Sequence, residues 1–89
     1  MRKVVYHRNA ARYMRRMPPD RKEQVKRAVR RAADLPDPLS DPNVKAMVGD
    51  WAGCMRLRVG VYRAIFHIVK DAGEELFEVL AAGPRGDIY

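Results

Sequence analysis

The sequence predicts an α+β domain in which two helices pack on one face of a mostly antiparallel sheet. Three observations lead there. Apolar residues recur at helical spacing in two consecutive segments near the start. Apolar and cationic residues then alternate with a period of two in Met55-Arg56-Leu57-Arg58-Val59. Turn residues punctuate the second half at short intervals. The resulting order is one strand, two helices, then about four strands, and a length of 89 residues makes 1–89 a single domain.

Each element has a local reason. Val4, Val5 and Tyr6 suit a pleated, half-buried setting, so residues 1–7 are expected to open with a strand. Asn9 is the expected N-cap of the first helix. Ala10, Tyr13, Met14 and Met17 form its stripe, with Arg12, Arg15 and Arg16 lying off it. Pro18-Pro19 ends that helix. Asp20 caps or begins the second, and Glu23 in its first turn complements the helix dipole. Val25, Ala28, Val29 and Ala32 are its buried stripe, and Lys22, Lys26, Arg27, Arg30 and Arg31 cover much of the rest. That basic face is either simply solvated or a docking surface for a polyanion. Pro36, Pro38 and Pro42 mark a loop. Short strands are expected over 44–48 and 54–59, then 61–70 after a hairpin turn at Gly60, and 75–82 after Asp71-Ala72-Gly73. Val79-Leu80-Ala81-Ala82 is apolar on both faces, as in a central strand.

Composition narrows the function. Eighteen Lys and Arg against eleven Asp and Glu give a net charge of +7. A surplus of that size on a small domain points to a polyanionic partner, RNA or DNA first, or to an acidic protein. No apolar run approaches the ~20 residues that span a bilayer, and the basic N-terminus lacks the apolar stretch of a signal peptide. A cytoplasmic protein with no membrane partner is expected. Cys54 is the single cysteine, so neither an intrachain disulfide nor a thiolate metal cluster can form. His7 and His67 are far apart in sequence, and neither a metal nor a cofactor is expected.

The candidate site follows from the alternation. Met55, Leu57 and Val59 should face a core, which puts Arg56 and Arg58 together on the other face. Neighbouring like charges destabilise a sheet. A phosphate would remove that penalty and engage the planar donor forks of the guanidiniums. Arg63, Ile65, His67 and Val69 share one face of the next strand, and hairpin register could bring Arg63 beside Arg56 and Arg58. The closing segment Gly83-Pro84-Arg85-Gly86-Asp87-Ile88-Tyr89 could return Arg85 and Tyr89 to the same place. Plainer readings stand beside these. Arg56 and Arg58 could line a solvated strand face, and Arg63 could pair with Glu75, Glu78 or another carboxylate. His67 is expected to be packed in its strand, Cys54 to be a half-buried small residue, and Trp51 to belong to the core rather than to stack on a base.

The strand–helix–helix opening, the Lys45-Ala46-Met47-Val48-Gly49 segment, the Arg56-Leu57-Arg58-Val59-Gly60-Val61-Tyr62-Arg63 block and the closing Gly-Pro-Arg-Gly-Asp-Ile-Tyr together resemble the RelE/ParE superfamily of toxins from type II toxin–antitoxin systems, closer to its RelE ribonuclease branch. The resemblance covers nearly the whole chain. It implies a ribosome-dependent mRNA endonuclease that needs no metal, could dock the basic face of its second helix on ribosomal RNA, and is neutralised by a cognate antitoxin. The alternative within the superfamily is a ParE-like inhibitor of DNA gyrase that cuts nothing. A third possibility is an RNA-binding or structural module without toxicity. By the resemblance, Arg56 and Arg58 match the paired basic positions, Arg63 the next arginine, and Arg85 and Tyr89 the C-terminal arginine and tyrosine. These five are the expected catalytic residues. RelE itself has lysines at the paired positions. An arginine stays charged, so Arg56 and Arg58 are expected to hold phosphate rather than abstract a proton. Pro84 stands where a basic residue or histidine is common, which removes one donor.

Overall fold

A computed structural model describes residues 2–84. Strand β1 (Lys3–Tyr6) is followed by helices α1 (Arg8–Arg15) and α2 (Pro19–Asp34), then by strands β2 (Val44–Ala46), β3 (Met55–Val59), β4 (Tyr62–Asp71) and β5 (Glu74–Pro84). The five strands form one sheet in the order β1-β5-β4-β3-β2. β1 runs parallel to β5, and every other neighbouring pair is antiparallel. The α+β expectation and the interior position of the last strand both hold.

The core lies between the helices and one face of the sheet. Leu57, Val59, Ala64, Phe66, Phe77 and Val79 are buried there against Ala10 and Met14 of α1 and Val25, Ala28, Val29 and Ala32 of α2. The rings of Phe66 and Phe77 stack with centroids 4.0 Å apart. Met17 joins the same cluster, so the stripes read from the sequence are the packed ones. Alanines along α2 leave room for the larger side chains of the sheet.

A bulge decides what faces the opposite side. Ile65 pairs with Ala81, but Phe66 pairs with Val79, which leaves Leu80 as the extra residue in β5. Without it, Ala81 and Gly83 would fall on the same side as Phe77 and Val79, because side chains alternate. With it, Ala82 packs against the core, while Ala81 and Gly83 join Ile65 and Arg63 on the face the helices do not cover.

Boundaries differ from the sequence reading where local chemistry competes. α1 begins two residues earlier than expected: His7, not Asn9, is the N-cap, and its Nδ1 accepts from the Asn9 N–H at 3.3 Å. α2 starts on Pro19, whose missing N–H costs nothing at a first helical position. Its first turn holds Asp20, and Glu23 falls in the next. β2 stops at Ala46, since Met47 and Val48 leave the sheet for a 3-10 turn at Gly49–Trp51. At Gly60 the expected β3–β4 hairpin turn forms with φ +60°, a value that glycine adopts without strain.

Arg2 supplies a device invisible in the sequence pattern. Its guanidinium donates to the carbonyls of Ala33 at 3.3 Å, Pro36 at 2.9 Å and Leu35, and meets Glu75 Oε1 at 2.9 Å. The C-terminal carbonyls of a helix otherwise lack partners and carry the negative end of its dipole. One arginine thus ties the end of α2 to β5. No described helix is long and apolar enough to cross a membrane.

Candidate functional site on the uncovered sheet face

The register of β3 against β4 sets the site. Arg58 lies directly opposite Arg63, and Arg56 lies opposite Ile65 on one side and Lys45 of β2 on the other. Opposed side chains start about 5 Å apart at Cβ, and alternate positions along a strand are roughly 7 Å apart. Lys45, Arg56, Arg58 and Arg63 therefore originate within a patch about 10 Å across. Arg58 is exposed, and Arg56 and Arg63 are half-buried. On β5 the patch is bordered by Ala81 and Gly83, which add almost no bulk.

The two carboxylates weighed as partners for Arg63 are engaged elsewhere. Glu75 meets Arg2. Glu78 lies across from His67, with Nε2 and Oε1 2.6 Å apart. That pair sits four residues along β4 from Arg63, about 13 Å away. His67 is thus held in its strand as expected. Cys54 is half-buried. The Tyr6 hydroxyl, on the helix side of the sheet, has a raised pKa. Burial pushes it above the usual value, Arg30 opposes that, and Glu23 adds to it.

Two grooves open from this patch. One, of about 340 Å³, runs between α2 and the β3–β4 turn and is lined by Arg27, Arg31, Asn43 and Arg58. Arg58 thus links the arginines of the sheet to the basic face of α2. The other, of about 480 Å³, is lined by Lys45, Met47, Val48, Asp50, Trp51 and Arg56. Here the expectation for Trp51 is corrected. It is half-buried, it is not part of the described core cluster, and it shares a groove with Arg56. The 3-10 turn at Gly49–Trp51 puts it there, out of line with β2 and β3.

Three of the five expected site residues, Arg56, Arg58 and Arg63, are brought together. Arg85 and Tyr89 lie outside the described residues. The last described residues, Gly83 and Pro84, pair with Arg63 and Tyr62. Lys45 is the cation whose place in the row the sequence did not disclose. Only the β2–β3 register reveals it. Among the described residues, no group of three or more His, Cys, Asp or Glu side chains is arranged to hold a metal ion.

No protein-family model matches the chain, and no curated protein does. Solved structures match along its length. The archaeal RelE–RelB complex from Pyrococcus horikoshii aligns with a TM-score of 0.73 at 20% identity, covering 97% of each chain. A YoeB/ParE toxin from Agrobacterium tumefaciens aligns at 0.67 and 17% identity, over 93% of this chain and 98% of that one. A RelBE toxin–antitoxin complex from Mycobacterium tuberculosis aligns at 0.64 and 22% identity, over 94% and 98%. This chain has the RelE/ParE toxin fold. Identity this low makes the likeness one of fold. Within the RelE/ParE fold, the sheet face opposite the helices carries Lys45, Arg56, Arg58 and Arg63, and the helix face carries the core.

Proposed function

We propose that this chain is the toxin of a toxin–antitoxin pair and that it cuts mRNA on the ribosome. One observation carries the reading: Arg58 and Arg63 are opposed across β3 and β4, with Arg56 and Lys45 beside them, on a face that no helix covers. Planar guanidinium forks gathered on one face suit the oxygens of a bound phosphate. The fold, shared with RelE–RelB and YoeB/ParE structures, supports the toxin class.

The chemistry suited to such a row is attack by the RNA's own 2′-oxygen. The O2′–P bond forms and the P–O5′ bond breaks, leaving a 2′,3′-cyclic phosphate and a 5′-hydroxyl. Negative charge grows on the non-bridging oxygens in the transition state. Fixed guanidiniums aimed at those oxygens stabilise it more than the ground state. Arg63 and Arg58, being opposed, would grip the scissile phosphate from two strands. Arg56 would hold it in line or hold its neighbour. Arginine keeps its charge, so proton transfers fall to other groups. Arg85 and Tyr89 are assigned here on the family resemblance. Tyr89 would stack on a base or pass a proton. The cognate antitoxin would cover the same face with carboxylates.

A coupled translation extract tests the class. With the chain added, mRNA should be cut at translating ribosomes while gyrase still supercoils a plasmid. Intact mRNA with supercoiling blocked would move the chain to the ParE-like alternative. No effect on either would leave a basic binding module.

A further inference from the structure

We propose that the groove holding Trp51 is a nucleobase pocket that prefers guanine, placed beside the phosphate gripped by Arg56. The proposal rests on the RNA reading above and adds the residues that would read the base. It starts from the position of the indole. A tryptophan contributes most when fully packed, and one left half in solvent with a wall of its own is suited to receive a flat partner. Trp51 stands apart from the described core, and Met47 and Val48 complete the apolar side of the groove. Val48 is 86% exposed, so that side is open to an incoming ring.

The loop that presents Trp51 is held from within. Met47 N–H donates to the Cys54 carbonyl at 3.0 Å, Cys54 N–H to the Trp51 carbonyl at 2.9 Å, and Ala52 N–H to the Gly49 carbonyl at 3.0 Å. Gly49 has φ +70°, a backbone state that a side chain there would strain. The wall is therefore shaped before any ligand arrives. The groove's volume of about 480 Å³ falls in the range of small-ligand sites.

Charge and hydrogen bonding name the occupant. Lys45 and Arg56 line the same groove and supply the contact for a phosphate. Aromatic rings accept every base by stacking. Selectivity then falls to Asp50, a lining carboxylate that no described residue engages. An ionised carboxylate only accepts hydrogen bonds. Guanine offers it two adjacent donors, N1–H and the 2-amino group. Uracil offers one N–H flanked by two acceptor oxygens, which the carboxylate repels.

Trp51 is the only tryptophan in the chain, so its fluorescence reports on this groove alone. The full chain titrated with 3′-GMP should give a saturable change in that fluorescence, and 3′-UMP should bind about tenfold more weakly. Asp50→Asn should collapse the guanine preference, and Lys45→Ala should weaken both nucleotides alike. No saturable response, equal binding of the two nucleotides, or an unchanged preference in Asp50→Asn would overturn the pocket. So would a response to an acidic peptide and to neither nucleotide, which would give the groove to a protein partner. The assay involves no cutting. Cleaved mRNA with a silent Trp51 would remove only the pocket, and a base-selective Trp51 response in a chain that cuts nothing would remove only the nuclease.

Discussion

Arg63→Ala is expected to slow mRNA cleavage on translating ribosomes by about a hundred- to a thousand-fold, the usual cost of removing one preorganised donor to a developing oxyanion. Arg63 is singled out because of where it stands. It lies directly opposite Arg58 on the longer strand β4, which pairs along its length with β5, whereas Arg56 and Arg58 belong to the shorter β3 next to the three-residue β2. A guanidinium rooted in the interior of a sheet is better fixed than one near its rim, and fixed charge is what stabilises a transition state. The loss should fall mainly on the rate of the bound complex, with ribosome binding much less affected, because the interaction strengthens only as charge develops. Arg63→Lys should recover part of the rate, since it keeps the charge but not the fork. The melting transition should remain cooperative, so that the loss is not one of fold. Single-turnover cleavage on programmed ribosomes measures it. Wild-type rates in Arg63→Ala would refute the placement of the site on this row.

Phe77→Ala should give the largest change in stability. Phe77 is fully buried and stacks on Phe66 at 4.0 Å. Truncating a buried phenylalanine costs about 3–5 kcal/mol, combining lost transfer energy and a residual cavity. Domains of this kind are stable by only about 5–15 kcal/mol, and each kcal/mol lowers the melting temperature by roughly 4–8 °C at this size. Phe77→Ala should therefore melt well over 10 °C below the parent, or fail to fold. Val61→Ala offers the contrast. Val61 sits in the β3–β4 turn and is 65% exposed, and a change there should stay within about 0.5 kcal/mol. Thermal melts followed by circular dichroism compare the two. Similar melting points for both variants would mean that the core is not where the packing puts it.

What the sequence disclosed and what it withheld divide along the range of the interactions. The helices and the inward face of β3 were legible because periods of 3.6 and 2 are local. Met14, Val25, Leu57 and Val59 are buried as those periods require. The pairing of Arg56 with Arg58 on one face was legible for the same reason. The register that sets Arg58 against Arg63 was not, since a slip of one position would reverse every face. Neither was the bulge at Leu80, which returns Ala81 and Gly83 to the arginine side. Lys45 joins the row only through β2, a three-residue strand with little pattern to read. Trp51 was misread because aromatic residues near turns are usually packed, and nothing local says that the 3-10 turn at Gly49–Trp51 sets this one beside Arg56 in a groove. The His7 cap was missed because histidine is not among the favoured N-capping residues, although its Nδ1 can accept a hydrogen bond in the same way.

The site also explains why so small a domain tolerates so much positive charge. Glu75 and Glu78 are spent on Arg2 and His67, at the far end of β4 and β5 from the arginine pair. Glu75 thus ties the end of α2 to β5 through Arg2, and Glu78 links β5 to β4 through His67. On the function proposed above, an acidic partner and an RNA would compete for the same face.

The most direct test of the central claim is the chemistry of the ends left on ribosome-bound mRNA. Arginines that steady a phosphate under attack by its own 2′-oxygen predict fragments ending in a 2′,3′-cyclic phosphate and beginning with a 5′-hydroxyl. They also predict no cut when the nucleotide 5′ to the break carries hydrogen in place of that hydroxyl. Fragments beginning with a 5′-phosphate, or cutting that persists at the 2′-deoxy position, would contradict it.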